Sequence, residues 1–132
     1  MPAVNWVAVI VAAIASFGIG AIWYSPLMFT KAWLRESGVD PARGRNANMP
    51  LIFGTAFVLV LLATAVFAMF LGPNVDLGSG ALYGFLAGLF WVTGYFGVNY
   101  LFEQRSFKLF LINGGYNVVS FTVMGAVLGA MS

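Results

Sequence analysis

Four long stretches without a charged side chain constrain the fold of this chain more than any other feature. They span residues 1–30, 46–75, 77–102 and 109–132. Each reaches the ~20 residues that a helix needs to cross about 30 Å of hydrocarbon. Because lipid offers no hydrogen-bond partners, backbone N–H and C=O groups must be satisfied within each segment, which favours helices. Transmembrane β-strands would alternate in polarity with a period of two, and these stretches do not.

The composition excludes most other classes of protein. Hydrophobic residues make up 61% of the 132 residues and charged residues only 8%, whereas a soluble domain carries roughly 25% charged residues. Too few charges remain to cover a water-facing surface. The chain has no His and no Cys, which excludes disulfides, the usual zinc sites and His- or thiol-based nucleophilic catalysis. We therefore expect no metal, no cofactor and no enzymatic activity.

These features predict an all-α integral membrane protein, one domain over residues 1–132 with four transmembrane helices in two hairpins. The predicted spans are Val4–Tyr24, Pro50–Gly72, Ala81–Phe102 and Leu109–Met131. Short loops at 73–80 and 103–108 predict that spans two and three form an antiparallel hairpin and that spans three and four are neighbours.

A short interfacial helix is predicted after the first span, between Pro26 and Gly38. Its apolar side chains share one arc of a helical wheel and its basic ones another, as in helices that lie on a membrane. The apolar arc contains Leu27, Phe29, Trp33 and Leu34, and the basic arc contains Lys31 and Arg35. The alternative is that the first helix continues past a kink at Pro26.

The distribution of basic residues predicts the orientation. All six lie in the first and third loops, and the opposite side carries only Asp76. The positive-inside rule then predicts a multi-pass protein of the inner (cytoplasmic) membrane with both termini outside and the basic loops in the cytoplasm. Since topology accounts for the basic excess, we expect no nucleic-acid partner. The expected partners are the lipid bilayer and either further copies of the chain or a larger membrane complex.

Small residues recur every fourth position on three of the spans. Such faces allow helices to approach closely in lipid, where little hydrophobic drive acts between them. They comprise Ala8, Ala12, Ser16 and Gly20 in the first span, Gly80, Gly84 and Gly88 in the third, and Gly125 and Gly129 in the fourth. We expect them at helix–helix contacts. Their extent exceeds what one four-helix bundle uses and favours a homo-oligomer.

Two polar stripes are predicted at the same depth on the third and fourth spans. The third-span stripe contains Trp91, Tyr95, Asn99 and Glu103, and the fourth-span stripe contains Asn113, Tyr116, Asn117 and Ser120. One interpretation is a polar cavity that admits water, a proton or a small solute. The other is a network of hydrogen bonds between helices.

Glu103 ends a helix, where the helix dipole disfavours an anion. Arg105 and Lys108 lie within reach of Glu103 and predict an ion pair at the membrane interface. The sharper interpretation of Glu103 is a proton-accepting carboxylate at the mouth of the cavity. Asp76 is interpreted as a solvated loop residue.

Three stretches resemble a known family of small bacterial and fungal membrane proteins, catalogued as domain of unknown function 1761. They are Asn5-Trp6, Gly20–Leu27 and Asn99–Arg105, and the stretches Trp23–Pro26 and Phe102–Arg105 are the most specific. The resemblance covers nearly the whole chain, although residues 38–80 carry little of it. It implies a multi-span membrane protein and supplies no activity.

Three functional hypotheses follow. The first is a non-enzymatic membrane subunit or homo-oligomer that acts through helix packing. The second is a small transporter or channel that uses the cavity between spans three and four. The third, an intramembrane enzyme, has no catalytic residues to support it. Small multidrug exporters are similar in size but carry a Glu in the first helix, which this chain lacks, and the one-sided basic loops argue against a dual-topology fluoride channel.

Overall fold

The computed structural model describes residues 5–24, 28, 30–37, 49–72 and 75–131, and the described part of the chain is helical with no strand. Its elements are α1 (Trp6–Trp23), α2 (Thr30–Ser37), α3 (Met49–Leu71), α4 (Leu77–Leu86), a π-helical segment (Ala87–Val92), α5 (Thr93–Glu103) and α6 (Phe107–Ala130). Together α4, the π segment and α5 form one continuous third span. Four helices are long and apolar enough to cross a membrane, at Trp6–Trp23, Pro50–Leu71, Leu77–Glu103 and Phe107–Ala130. The predicted all-α fold with four spans is confirmed.

Side-chain caps determine where the third and fourth spans begin. Asp76 accepts a hydrogen bond from the Ser79 backbone N–H at 2.7 Å, and Ser106 accepts one from the Leu109 N–H at 3.0 Å. Each cap satisfies a donor that the first turn of a helix leaves free. Asp76 is therefore more than a solvated loop residue, and its cap starts the third span at Leu77 rather than at Ala81. Between the two spans, Gln104 adopts a left-handed conformation (φ 58°) that ends α5.

The last helix, α6, lies at the centre of the bundle. It packs most extensively against the third span and α1, and α3 packs mainly against α1. The two hairpins, α1 with α3 and the third span with α6, therefore meet through α1 and α6. Buried residues from all four spans form the core between them: Ala8, Val9, Ala12, Phe67, Ala87, Met124 and Leu128.

The predicted small-residue faces lie at helix contacts within the chain. A Cβ added at Gly80 would overlap the carbonyl oxygen of Gly125, and one at Gly84 would overlap that of Phe121. The backbones of the third span and α6 thus touch, which glycine permits and larger residues do not. Ala8, Ala12 and Ser16 of α1 are fully buried in the same way. Because these faces are covered inside one chain, they no longer argue for an oligomer.

The predicted interfacial segment contains a helix, α2, whose Trp33 ring lies 6.0 Å from that of Tyr24 in an edge-to-face arrangement. Its position on the membrane surface stays a prediction. Pro26, Leu27, Phe29 and the side chain of Leu34 lie outside the described residues, as do Arg43 and Arg45 of the predicted cytoplasmic loop.

Candidate functional site

An amide side chain at the start of α6 joins three spans. The Asn113 Oδ1 accepts a hydrogen bond from the Tyr24 hydroxyl at 2.6 Å, and its Nδ2 donates to the Tyr100 hydroxyl at 2.6 Å. Tyr24 follows the end of α1, and Tyr100 lies in the last turn of α5. We call Trp23, Tyr24, Tyr100, Asn113 and Tyr116 the interhelical cluster. It links α1, α5 and α6 at the end of the bundle that carries the basic residues Lys31, Arg35, Arg105 and Lys108.

The backbone of α6 takes part in the cluster as well. The indole Nε1 of Trp23 donates to the Ile112 carbonyl at 2.9 Å. Glycine makes room for the indole, because a Cβ at Gly115 would lie 3.0 Å from Trp23 Cζ2. A carbonyl in a helix has a second lone pair, so this bond adds to the helical hydrogen bonds without replacing one.

Tyr116 fills the space beside α1 one turn deeper. Its ring contacts that of Tyr24 edge to face at 5.5 Å, and its hydroxyl donates to the Ser16 carbonyl at 3.4 Å. A Cβ at Gly20 would lie 3.0 Å from the Tyr116 hydroxyl oxygen. Further along α6, the buried Ser16 hydroxyl donates to the Ser120 carbonyl at 3.3 Å. The polar groups thus continue along one seam between α1 and α6.

The buried polar side chains in the described part of the chain are all hydrogen-bonded. A polar group buried in hydrocarbon without a partner costs several kcal/mol, so such satisfaction is what a structural network requires. The geometry of Asn113, Tyr116 and Ser120 therefore matches the hydrogen-bond interpretation of the fourth-span stripe. Asn117 is half-buried, and its carbonyl faces Gly88.

The structure corrects the predicted juxtaposition of the two stripes. Trp91 and Tyr95 are 66% and 72% exposed on the outside of the bundle, and Asn99 and Glu103 are exposed as well. The residues of the third span that face α6 are others. Thr93 is buried and its hydroxyl donates to the Gly114 carbonyl at 3.2 Å. The third-span stripe therefore does not line a space shared with Asn113.

The π-helical segment is the physical reason for this difference. Along a regular helix the face of Gly80, Gly84 and Gly88 would continue through residues 91 or 92, 95 and 99. A π turn inserts one extra residue, which rotates everything after it by about 100°. The contact face accordingly resumes at Thr93, Gly97 and Tyr100.

The sequence carries one signal of this shift. Small residues in the third span are spaced four apart up to Gly88, then five apart to Thr93, then four apart to Gly97. The site prediction did not include three aromatic residues of the cluster, Trp23, Tyr24 and Tyr100. Trp and Tyr near the end of a span are typical of anchors at the membrane interface, so the sequence did not mark them as site residues.

The predicted ion pair lies in the turn between α5 and α6. Glu103 Oε1 and Arg105 Nε are 3.4 Å apart and both side chains face outward. Among the described residues, Lys108 forms no ion pair within 4.0 Å. An exposed pair of this kind stabilises a fold by at most about 1 kcal/mol. The interhelical cluster itself contains no carboxylate, imidazole or thiol, and its geometry favours holding helices together.

The family comparison covers the whole of this arrangement. A family model described as a protein of unknown function (DUF1761) matches residues 7–129. The chain belongs to the DUF1761 family. The DUF1761 match includes the four spans except for one residue at each end, and so includes the interhelical cluster. The resemblance seen in the sequence is confirmed, and the DUF1761 description assigns no activity. No curated protein and no solved structure matches the chain.

Proposed function

We propose that this DUF1761 protein is a non-enzymatic membrane subunit that acts through helix packing, and that it associates with a second copy of itself. The observation that carries the proposal is an open groove between α3 and the third span. We call it the aromatic groove. Its walls include Phe67, Phe70 and Leu71 of α3 and Tyr83, Phe90 and Trp91 of the third span.

The groove exists because α3 packs mainly against α1. Although α3 and the third span follow each other along the chain, their facing side chains enclose an open volume of about 570 Å³. Phe70 and Phe90 project from opposite walls and are 76% and 65% exposed. Two neighbouring helices that leave such a gap offer a seat for the side chains of another helix, which is about 10 Å across.

A second copy of the chain suits the aromatic groove in its apolar surface and in the symmetry of the resulting dimer. None of the described residues that line the groove is charged, and all four spans of another copy present uncharged, apolar faces. Closed two-fold dimers are the commonest assemblies of identical chains. In such a dimer the Phe70 and Phe90 walls of each copy pack against those of the other.

The interhelical cluster supports the non-enzymatic part of the proposal. Asn113 is engaged by hydroxyl groups on both its oxygen and its nitrogen, and Trp23 is bonded to a carbonyl. Groups that hold one another in this way stabilise a bundle rather than meet a substrate. Tyr95 and Asn99 are exposed on the outside of the bundle, so a transport path between the third span and α6 would have to be lined by other residues.

Cysteine cross-linking tests the proposed contact directly, because the natural chain has no Cys. Phe70→Cys and Phe90→Cys place thiols on the two walls of the groove. Val7→Cys is the matched control, since Val7 is also exposed but lies on α1. Mild oxidation in native membranes should give covalent dimers from the groove variants and none from the control. Equal cross-linking at all three positions, or none at the groove, would refute the contact.

A further inference from the structure

A second cavity lies at the basic end of the bundle, between α5 and α6. Its volume is about 260 Å³. Arg105 and Ser106 lie at its rim, and Gly97, Leu101, Phe107 and Phe110 line its wall. We call it the basic cavity. It is separate from the aromatic groove, and the proposed dimer does not use it.

We propose that the basic cavity binds an anionic phospholipid, with the phosphate at Arg105 and one acyl chain along Gly97. The cavity changes from charged to apolar along the bundle axis in the order in which a phospholipid changes. Arg105 lies beyond the end of α5, whereas Gly97 lies six residues before that end, or about 9 Å deeper. A phospholipid in the bilayer likewise has its charged head group at the surface and its apolar acyl chain deeper.

Gly97 and Phe110 form the apolar inner wall of the cavity. A Cβ at Gly97 would lie 3.1 Å from Phe110 Cε2, so glycine allows the Phe110 ring to pack directly against α5. Leu101 and Phe107 border this wall and are 80% and 72% exposed. At about 260 Å³, the cavity holds the glycerol–phosphate region and the first part of one chain rather than a whole lipid.

The charge of the rim favours an anion. The turn from Glu103 to Lys108 contains two cations, Arg105 and Lys108, and one anion. Glu103 lies 3.4 Å from Arg105 and competes with a lipid phosphate for it. Basic pockets between membrane helices bind anionic head groups in this way, through charge attraction in addition to the hydrophobic seat.

Native mass spectrometry of the full-length protein in detergent provides the test. The probes are phosphatidylglycerol, phosphatidylcholine with matched acyl chains, and inorganic phosphate. We expect the protein to retain phosphatidylglycerol in preference to phosphatidylcholine. Arg105→Gln should weaken phosphatidylglycerol retention roughly fivefold, the effect of one basic residue near an anionic lipid head group. Glu103→Gln should strengthen retention, because it removes the competing carboxylate.

Two further variants keep the proposal falsifiable. Lys31→Gln removes an exposed charge of the same sign on α2, outside the cavity, and should leave retention unchanged. Gly97→Leu places a bulky side chain at the apolar wall of the cavity without changing the charge and should reduce retention of phosphatidylglycerol. Equal retention of both lipids, or equal losses from Arg105→Gln and Lys31→Gln, would overturn the site. Competition by inorganic phosphate alone would show an anion site that does not recognise lipid, which would also overturn the proposal.

Discussion

Replacing Asn113 by Leu tests whether the interhelical cluster stabilises the bundle. The substitution preserves approximate size and removes both side-chain hydrogen bonds, to Tyr24 and to Tyr100. Hydrogen bonds between membrane helices contribute about 0.6 kcal/mol each on average and up to about 1.7. Two such bonds predict a loss of about 1–3 kcal/mol in the free energy of unfolding.

The matched control for this prediction is Asn99→Leu. The sequence predicts both asparagines in polar stripes at a similar depth in the membrane, but in the structure Asn99 is exposed on the outside of the bundle. Its replacement should change the free energy of unfolding by less than about 0.5 kcal/mol, as is usual for surface substitutions. Reversible unfolding in mixed micelles, followed by circular dichroism across a detergent titration, measures both variants. Equal costs for the two, or a neutral Asn113→Leu, would refute the stabilising role of the interhelical cluster between α1, α5 and α6.

Three further perturbations test the packing and the caps. Gly84→Ala should destabilise the bundle by about 1–3 kcal/mol because its Cβ would overlap the Phe121 carbonyl, whereas Gly94→Ala, with open space around it, should not; equal melting temperatures would count against the close contact. Deleting Phe90 should convert the π turn to a regular helix and keep Thr93 and Gly97 against α6. This deletion should therefore lower the melting temperature less than deleting Val119 from the regular α6. A larger loss from the Phe90 deletion would contradict the role of the π segment. The hydrogen bond from the Ser79 backbone lowers the pKa of Asp76. The stabilisation from this cap is therefore complete above the unfolded pKa of about 3.9 and is lost as the pH falls through the folded pKa. The melting temperature of the wild type relative to Asp76→Asn should decline in acid, and a difference that stays constant with pH would contradict the role of the cap.

Much of the fold follows from the sequence because the bilayer imposes a simple rule. Uncharged stretches of sufficient length have to be helices, and the four predicted spans agree with the structure to within a few residues. The glycines of the third span predicted a close helix–helix contact, since only small residues allow backbones to touch, and the structure shows α6 as the partner. The inward face of α6, with Asn113 and Tyr116, also follows from a regular helical period.

The face of α5 could not be predicted in the same way. Asn99 and Asn113 look equivalent in sequence, and only the extra residue of the π segment turns one outward and leaves the other inside. The spacing of five residues between Gly88 and Thr93 is consistent with that rotation, but such a spacing is weak evidence without a structure. The aromatic groove was not predicted either. A short loop makes α3 and the third span consecutive without deciding whether their side chains meet.

The number of copies in a lipid bilayer tests the central claim, which is that this DUF1761 protein acts through association along the aromatic groove. Single-molecule photobleaching of the fluorescently labelled full-length protein in liposomes counts those copies. We predict two bleaching steps for the wild type, one step for a variant that combines Phe70→Ala and Phe90→Ala, and two for Val7→Ala. One step for the wild type at every protein density would contradict the account, as would two steps that survive removal of both phenylalanines.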